Sequence, residues 1–192
     1  GQEIRGKSVL VRAEQGIGDV FQFARYLGEL RRRGARVLFQ PLDGMHAIAH
    51  RFDGVDEVVR TGRELADVDF VSNLLSLPLA FGTDLATIPR GRDPYFEPDA
   101  EKVARWGQRV ARGPEDRRLT VGLVWAGRPA HSRDRYRSRG LHQLAPVLNV
   151  PGVRFVGLQK GTAAVHAEAM PEHVDWENLG PELDDLDDAA AV

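Results

Sequence analysis

The chain has 192 residues, enough for one large domain or two small ones, and its 42% hydrophobic and 28% charged residues are an ordinary globular mix. A formal net charge of -2 gives no field to draw nucleic acid or an acidic membrane, and the absence of cysteine excludes disulfides, thiolate metal sites and a cysteine nucleophile together. No run of about 18 apolar residues encodes a membrane-spanning helix, and Gly1-Gln2-Glu3-Ile4-Arg5 lacks the apolar core of a signal peptide.

The first pattern lies in residues 8–30. The apolar run Val9-Leu10-Val11 predicts a buried strand over 8–12, and Gln15-Gly16-Ile17-Gly18-Asp19 predicts a turn. A helix over 19–33 follows, with Val20, Phe23, Ala24, Leu27 and Leu30 on one face and Gly34 as its stop. A glycine turn between strand and helix suits an anionic or hydroxyl-rich ligand. Asp19 reads either as a helix N-cap or as a carboxylate aimed into a cleft. The turn is not a dinucleotide fingerprint: the third glycine position holds Phe21, and the second strand, 36–40, ends in Gln40 rather than an acid. Arg31, Arg32 and Arg33 read as a solvated face complementing the helix dipole.

Beyond Pro41 the pattern predicts a helix over 42–51, with His46 and His50 one turn apart. That is metal-ligand spacing, but Ala47 stands where a zincin needs glutamate and no third ligand is evident, so two structural or surface histidines are expected. Short strands follow at 56–60 and 69–72. Ser72, Asn73 and Ser76 sit just after the second of these, where they either contact a ligand or satisfy the turn backbone. The apolar stretch 74–81 is broken by Pro78. Pro89, Gly91, Pro94 and Pro98 mark the end of a first domain. A crossover helix over 99–112 and an exposed linker over 113–118 come next.

Leu119–Trp125 is a strong strand signal, followed by a helix near 140–149 and a strand over 153–158. The alternation predicts an α/β chain with two parallel sheets, one in residues 1–112 and one in 119–192. The intervening loop carries Arg128, Arg133, Arg135, Arg137 and Arg139 against a single acid, Asp134. Guanidinium groups suit phosphate oxygens, so this loop reads as a diphosphate cradle, the alternative being a solvated loop. Lys160, at the next strand end, reads equally as a ligand contact or a solvated lysine.

The turn 15–27 resembles the first loop of glycosyltransferase family 9, the heptosyltransferase-like GT-B enzymes, and in particular the region found behind tetratricopeptide repeats in bacterial proteins. Leu75–Thr83, Val121–Gly127 and Leu158–Gly161 also match, in order, and together they cover nearly the whole chain. The resemblance implies a Rossmann-like, acceptor-side first domain and the first part of a donor-side second one. It implies an inverting transferase moving a sugar from a nucleotide-sugar to a glycan, lipid-linked or protein acceptor, in a bacterial cytoplasm or at the inner membrane. Asp19 then corresponds to the base, with Gln15, Gly16, Gly18 and Ser76 toward substrate. Arg135, Arg137, Ser138 and Lys160 correspond to groups that hold the diphosphate. No metal or cofactor is expected, since basic residues do that work and no carboxylate cluster is read as a metal-binding one. The chain lacks an initial Met and stops where a helix begins. The expectation is therefore a partial donor domain, which speaks against catalysis by the isolated chain and leaves sheet edges open to homodimerisation. A non-catalytic binding module on the same fold is the alternative.

Overall fold

The computed structural model describes residues 2–60, 68–89 and 94–192. The chain divides into two compact units, Gly1–Asp99 and Ala100–Val192. Gly91, expected to help end the first domain, lies outside the described residues. No helix among the described residues is long and apolar enough to cross a membrane.

The first unit is built on four parallel strands: β1 (Ser8–Arg12), β2 (Arg36–Gln40), β3 (Glu57–Val58) and β4 (Phe70–Asn73), in the order β3-β2-β1-β4. Val9, Leu10, Val11, Val37, Leu38 and Phe39 are all buried, as expected of parallel strands covered on both faces. Asp69 pins the register at the foot of the sheet, accepting from the Ser8 amide at 2.8 Å and from Lys7 Nζ at 3.0 Å.

The helix expected over 19–33 starts two residues earlier and is broken in two, as α1 (Ile17–Phe23) and α2 (Arg25–Arg32). Arg25 Nε bonds to the Gln22 carbonyl at 2.9 Å, the acceptor that an unbroken helix would offer to the Tyr26 amide. Gly34 does stop α2, at φ +84°. The expected helix over 42–51 is absent. Gly44 takes a left-handed φ of +83°, three-residue turns follow, and only Ala49–Arg51 forms a 3-10 turn. His46 and His50 therefore do not share a helix face. Gly54 is required by a close approach: a Cβ there would lie 2.5 Å from the Gly28 amide of α2. After β4 come a 3-10 turn, Leu74–Ser76, and the short helix α3 (Leu77–Phe81), which Pro78 begins rather than breaks.

The second unit opens with α4 (Ala100–Val110). This is the helix expected to close the first domain, and it packs instead on the second sheet. That sheet is β5 (Leu119–Leu123), β6 (Val153–Gly157) and β7 (Trp176–Asn178), all parallel, in the order β5-β6-β7. The arginine loop carries α5 (Asp134–Arg137). The helix expected at 140–149 is a 3-10 turn, Leu141–Leu144, running into α6 (Ala145–Leu148). A 3-10 stretch, Thr162–Ala169, follows β6. The final helix is α7 (Leu186–Ala191).

One face of this sheet packs Trp125, Leu141, Leu148, Phe155, Ala167 and Val174; the other packs Trp106, Val156, Leu179 and Leu183. On the second face charged groups join α4 to the sheet and to α7. Fully buried Arg154 donates to the Val110 carbonyl at 3.0 Å and pairs with Glu177, which also receives Arg109 and Arg112. Asp188, equally buried, accepts from Trp106 Nε1 and from the Asp184 amide, each at 3.0 Å, and pairs with Arg105 and Lys102.

Burial raises the Asp188 carboxyl, but its hydrogen bonds and the Lys102 charge outweigh burial and hold it down at about 2. A depressed carboxyl stabilises the fold at pH values above its unfolded range and ceases to do so as the pH falls toward 2. We expect Asp188→Asn to lower stability at neutral pH by about 2 kcal/mol and to flatten its fall between about pH 4 and 2. Tryptophan fluorescence reads this unit alone, since Trp106, Trp125 and Trp176 all lie within it. In the first unit Gly54→Ala is expected to cost about 3 kcal/mol in chemical denaturation followed by circular dichroism.

Candidate functional site

Parallel pairing places the C-terminal ends of β1 and β4 side by side, with Arg12 in register with Asn73. The Ala13 amide bonds to the Gln40 carbonyl at 2.8 Å and carries the pairing one residue past β1. Gln15 then turns the chain at φ +66°, the positive-φ residue other than glycine among those described. A residue with a side chain in that region stores strain, and such strain concentrates at functional loops.

Gly16 caps α1, and Asp19 stands three positions on rather than at the cap. Its Oδ2 reaches back to accept from the Gly16 amide at 2.9 Å. A Cβ at Gly16 would lie 3.1 Å from that oxygen, so glycine lets the carboxylate come close. Among the described residues Oδ1 of Asp19 has no hydrogen-bond partner. Gly18 has nothing within 4 Å of where a Cβ would stand, so its side of α1 is open. The turn bearing Ser76 packs against α1, with Ser76 itself exposed. Gln15, Gly16, Gly18, Asp19 and Ser76 thus gather at one edge of the first sheet. The Ser72 hydroxyl, near the end of β4, donates to the neighbouring Asn73 carbonyl at 3.1 Å.

In the second unit the equivalent edge is organised by a residue whose role sequence reading missed. Gln159 is 4% exposed, and its Oε1 accepts from the Trp125 and Ala126 amides at 3.0 and 2.8 Å. Its Nε2 donates to the Ala126 and Lys160 carbonyls at 3.1 and 2.7 Å. One carboxamide therefore joins the segments leaving β5 and β6, and its four hydrogen bonds leave no capacity for a ligand. The motif Gln159-Lys160-Gly161 was visible in the sequence, but partners 33 and 34 residues away were not.

The arginine loop is closed on itself. The Gly127 amide donates to Ser138 Oγ at 2.8 Å, and Ser138 Oγ donates to Asp134 Oδ1 at 2.6 Å. Ser138, expected at the diphosphate, is thus a brace inside the loop, and the loop's single acid is spent on it. Arg135 stacks on Tyr136 with its guanidinium carbon 4.5 Å from the ring centroid and donates to the Tyr136 hydroxyl. Lys160 Nζ donates to the Leu183 carbonyl. Arg137 remains available: it is exposed, no carboxylate pairs with it among the described residues, and a Cβ at Gly127 would lie 3.3 Å from its Nε. Arg128, Arg133 and Arg139 are likewise exposed without a carboxylate partner among the described residues. A cavity of about 320 Å³ at this edge is lined by Gly127, Ser138, Arg139, Thr162 and His166. His166 thus enters a site for which it was not singled out, Arg139 enters it as one of the loop's five arginines, and Arg137 borders it through Gly127. A larger cavity of about 400 Å³ lies between α6 and the 162–169 stretch. Leu148, Met170 and Val174 line it without any arginine or lysine, which does not suit a diphosphate.

No family model matches this sequence. Protein FlbA of Caulobacter vibrioides is 27% identical to it over 220 residues. That match takes in 100% of this chain and 35% of FlbA, so the chain spans about a third of the length of the curated relative it matches. Two solved structures share the fold. The Escherichia coli ADP-heptose lipopolysaccharide heptosyltransferase II superposes with a TM-score of 0.58 at 15% identity, over 96% of this chain and 75% of that one. A glycosyl transferase family 9 protein from Veillonella parvula superposes with a TM-score of 0.62 at 13% identity, over 99% and 73%. The chain therefore has the α/β, GT-B-like fold of these transferases, with parallel Rossmann-like sheets.

Gln159→Leu removes two acceptors' worth of oxygen and two donors in one step and strands the Trp125 and Ala126 amides. We expect a loss of about 3 kcal/mol in tryptophan-monitored unfolding. Faster hydrogen exchange at 125–127 should accompany it, with the first unit unaffected.

Proposed function

We propose that the chain is the catalytic region, or a large part of one, of an inverting glycosyltransferase that uses a nucleotide-sugar donor. The observation that carries this reading is the Asp19 carboxylate. One of its oxygens is held by the Gly16 amide and the other has no partner among the described residues, at the C-terminal edge of a parallel sheet beside an open glycine. Such a group is fixed in place and still free to take a proton. In the reaction proposed, Asp19 removes the acceptor hydroxyl proton as that oxygen attacks the anomeric carbon. The bond to the nucleoside diphosphate breaks on the opposite side, and configuration inverts. Arg137, with Arg139 beside it, meets the charge that develops on the departing diphosphate. The acceptor is a glycan, a lipid-linked sugar or a protein hydroxyl.

The likeness in fold to two glycosyltransferase structures supports this reading, as does the match along the whole chain to part of a longer bacterial protein. A cytoplasmic setting and a tetratricopeptide-repeat neighbour in the same polypeptide belong to the same proposal. A second reading, a binding module without catalysis, is favoured by one observation: Arg135, Ser138 and Lys160 are already engaged within the chain.

Calorimetric titration with ADP-, GDP- and UDP-sugars tests the donor half. One class is expected to bind saturably, and Arg137→Ala to weaken it roughly tenfold. Asp19→Asn is expected to leave that binding intact while lowering sugar transfer by about 100-fold or more. Binding without transfer in the parent chain would select the binding module, and no binding to any donor would remove the nucleotide-sugar reading.

A further inference from the structure

The cavity of about 400 Å³ in the second unit plays no part in the transferase reading, and its shape and lining suit a ligand of another kind. One wall is the 3-10 turn and α6, over Leu141–Leu148; the other comes from residues 166–174. The first wall is lined at both its ends, by Leu141 and by Leu148, so the cavity runs its whole length. Four residues of 3-10 helix and four of α-helix make about 14 Å. Spread over that length, the volume leaves a slot about 6 Å across, enough for one hydrocarbon chain but not for two, which need about 8 Å. At about 1.25 Å per carbon, an extended chain of about eleven carbons fills it.

The space persists because the facing wall is lightly built. Thr162–Ala169 stays 3-10 over eight residues, about twice the usual run, and of these Ala167 is the one buried. Between the ends the lining is apolar, with Ala145, Ala169, Met170 and Val174. Polar groups stand at the two ends. At one, His173 Nε2 and Asn149 Oδ1 lie 2.9 Å apart and tie the walls together. At the other stand His142, which packs against Gly140, and His166, the residue shared with the cavity beside the arginine loop. Neither imidazole has a hydrogen-bond partner among the described residues. No aspartate or glutamate lines the slot, although Glu168 and Glu172 alternate with residues that do.

We propose that this slot binds a single-chain carboxylate, a fatty acid of about ten carbons, with its chain between the two walls and its head at His142 and His166. Each imidazole can offer one N–H, and a carboxylate has an oxygen for each. The absence of lysine and arginine, which speaks against a diphosphate, is compatible with a head of one charge. An apolar slot with a few polar groups gathered at one end is the usual form of a small-molecule site. This inference stands apart from the transferase reading.

Calorimetric titration of the full chain with carboxylates of six to fourteen carbons, each below its micelle concentration, tests it. Saturable binding of one molecule per chain is expected, tightening about fourfold per added methylene until the slot is full. Decanol should bind at least tenfold more weakly than decanoate. His142→Leu should weaken decanoate about tenfold and leave decanol unchanged. Ala169→Phe, and Ala145→Phe from the opposite wall, each place a ring in the slot from an exposed position and should abolish binding. The fluorescence of Trp125, which packs with Leu141 and Leu148, verifies the fold of each variant. No saturable binding, or equal affinity for decanol and decanoate, would overturn the proposal. So would a gain that continues past twelve carbons, or unchanged binding in a folded phenylalanine variant.

Discussion

Parallel strand pairing is the constraint on which both units depend. A strand that pairs in parallel with its predecessor must be reached by a crossover, so all strands of a sheet end at the same edge. In the first unit that edge receives the turn after β1 and the turn after β4. In the second it receives the segments after β5 and β6. Both candidate sites follow from this geometry before any particular side chain is considered, and the residues at the strand ends then decide what each edge can do.

The two edges are fastened by different means. In the first unit backbone groups do the fastening: the Ala13 amide reaches Gln40, and the Gly16 amide reaches a carboxylate three residues on. In the second, a buried carboxamide and a serine–aspartate brace do it. The opposite face of the second sheet relies on ion pairs. Arg154 and Asp188 are buried charges; Arg154 is met by the Val110 carbonyl and Glu177, and Asp188 by Trp106, the Asp184 amide, Arg105 and Lys102, the pairing under which a buried charge is tolerated. These contacts hold α4 to a sheet whose first strand begins only after eight further residues, 111–118.

What the sequence made legible were the features set by neighbours along the chain. Apolar runs such as Val9-Leu10-Val11 and Val37-Leu38-Phe39 marked strands because parallel strands are buried on both faces. The turn before Asp19 was legible because two glycines stand between a strand and an amphipathic helix. Features set by distant partners were not. The periodicity over 42–51 suggested a helix, but Gly44 adopts a left-handed conformation there and ends any helical run. The unit to which α4 belongs is decided by Glu177, Glu182 and Asp188, all more than sixty residues away. The same holds for Ser138 and Gln159: hydroxyl and carboxamide side chains suit binding and bracing alike, and only their hydrogen-bond partners distinguish the two.

The left-handed turn at Gln15 has a consequence for association. The loop is fixed on both sides, by the Gln40 carbonyl before it and the Asp19 carboxylate after it. Little chain entropy is left there for a ligand to remove. The arginines of the second unit are the reverse case: long, exposed side chains, each of which loses about 0.5–1.5 kcal/mol of rotational freedom when it is held. A molecule that engages the first edge meets a preorganised surface and is selected by shape. One that engages the arginine loop has to carry enough negative charge to order it.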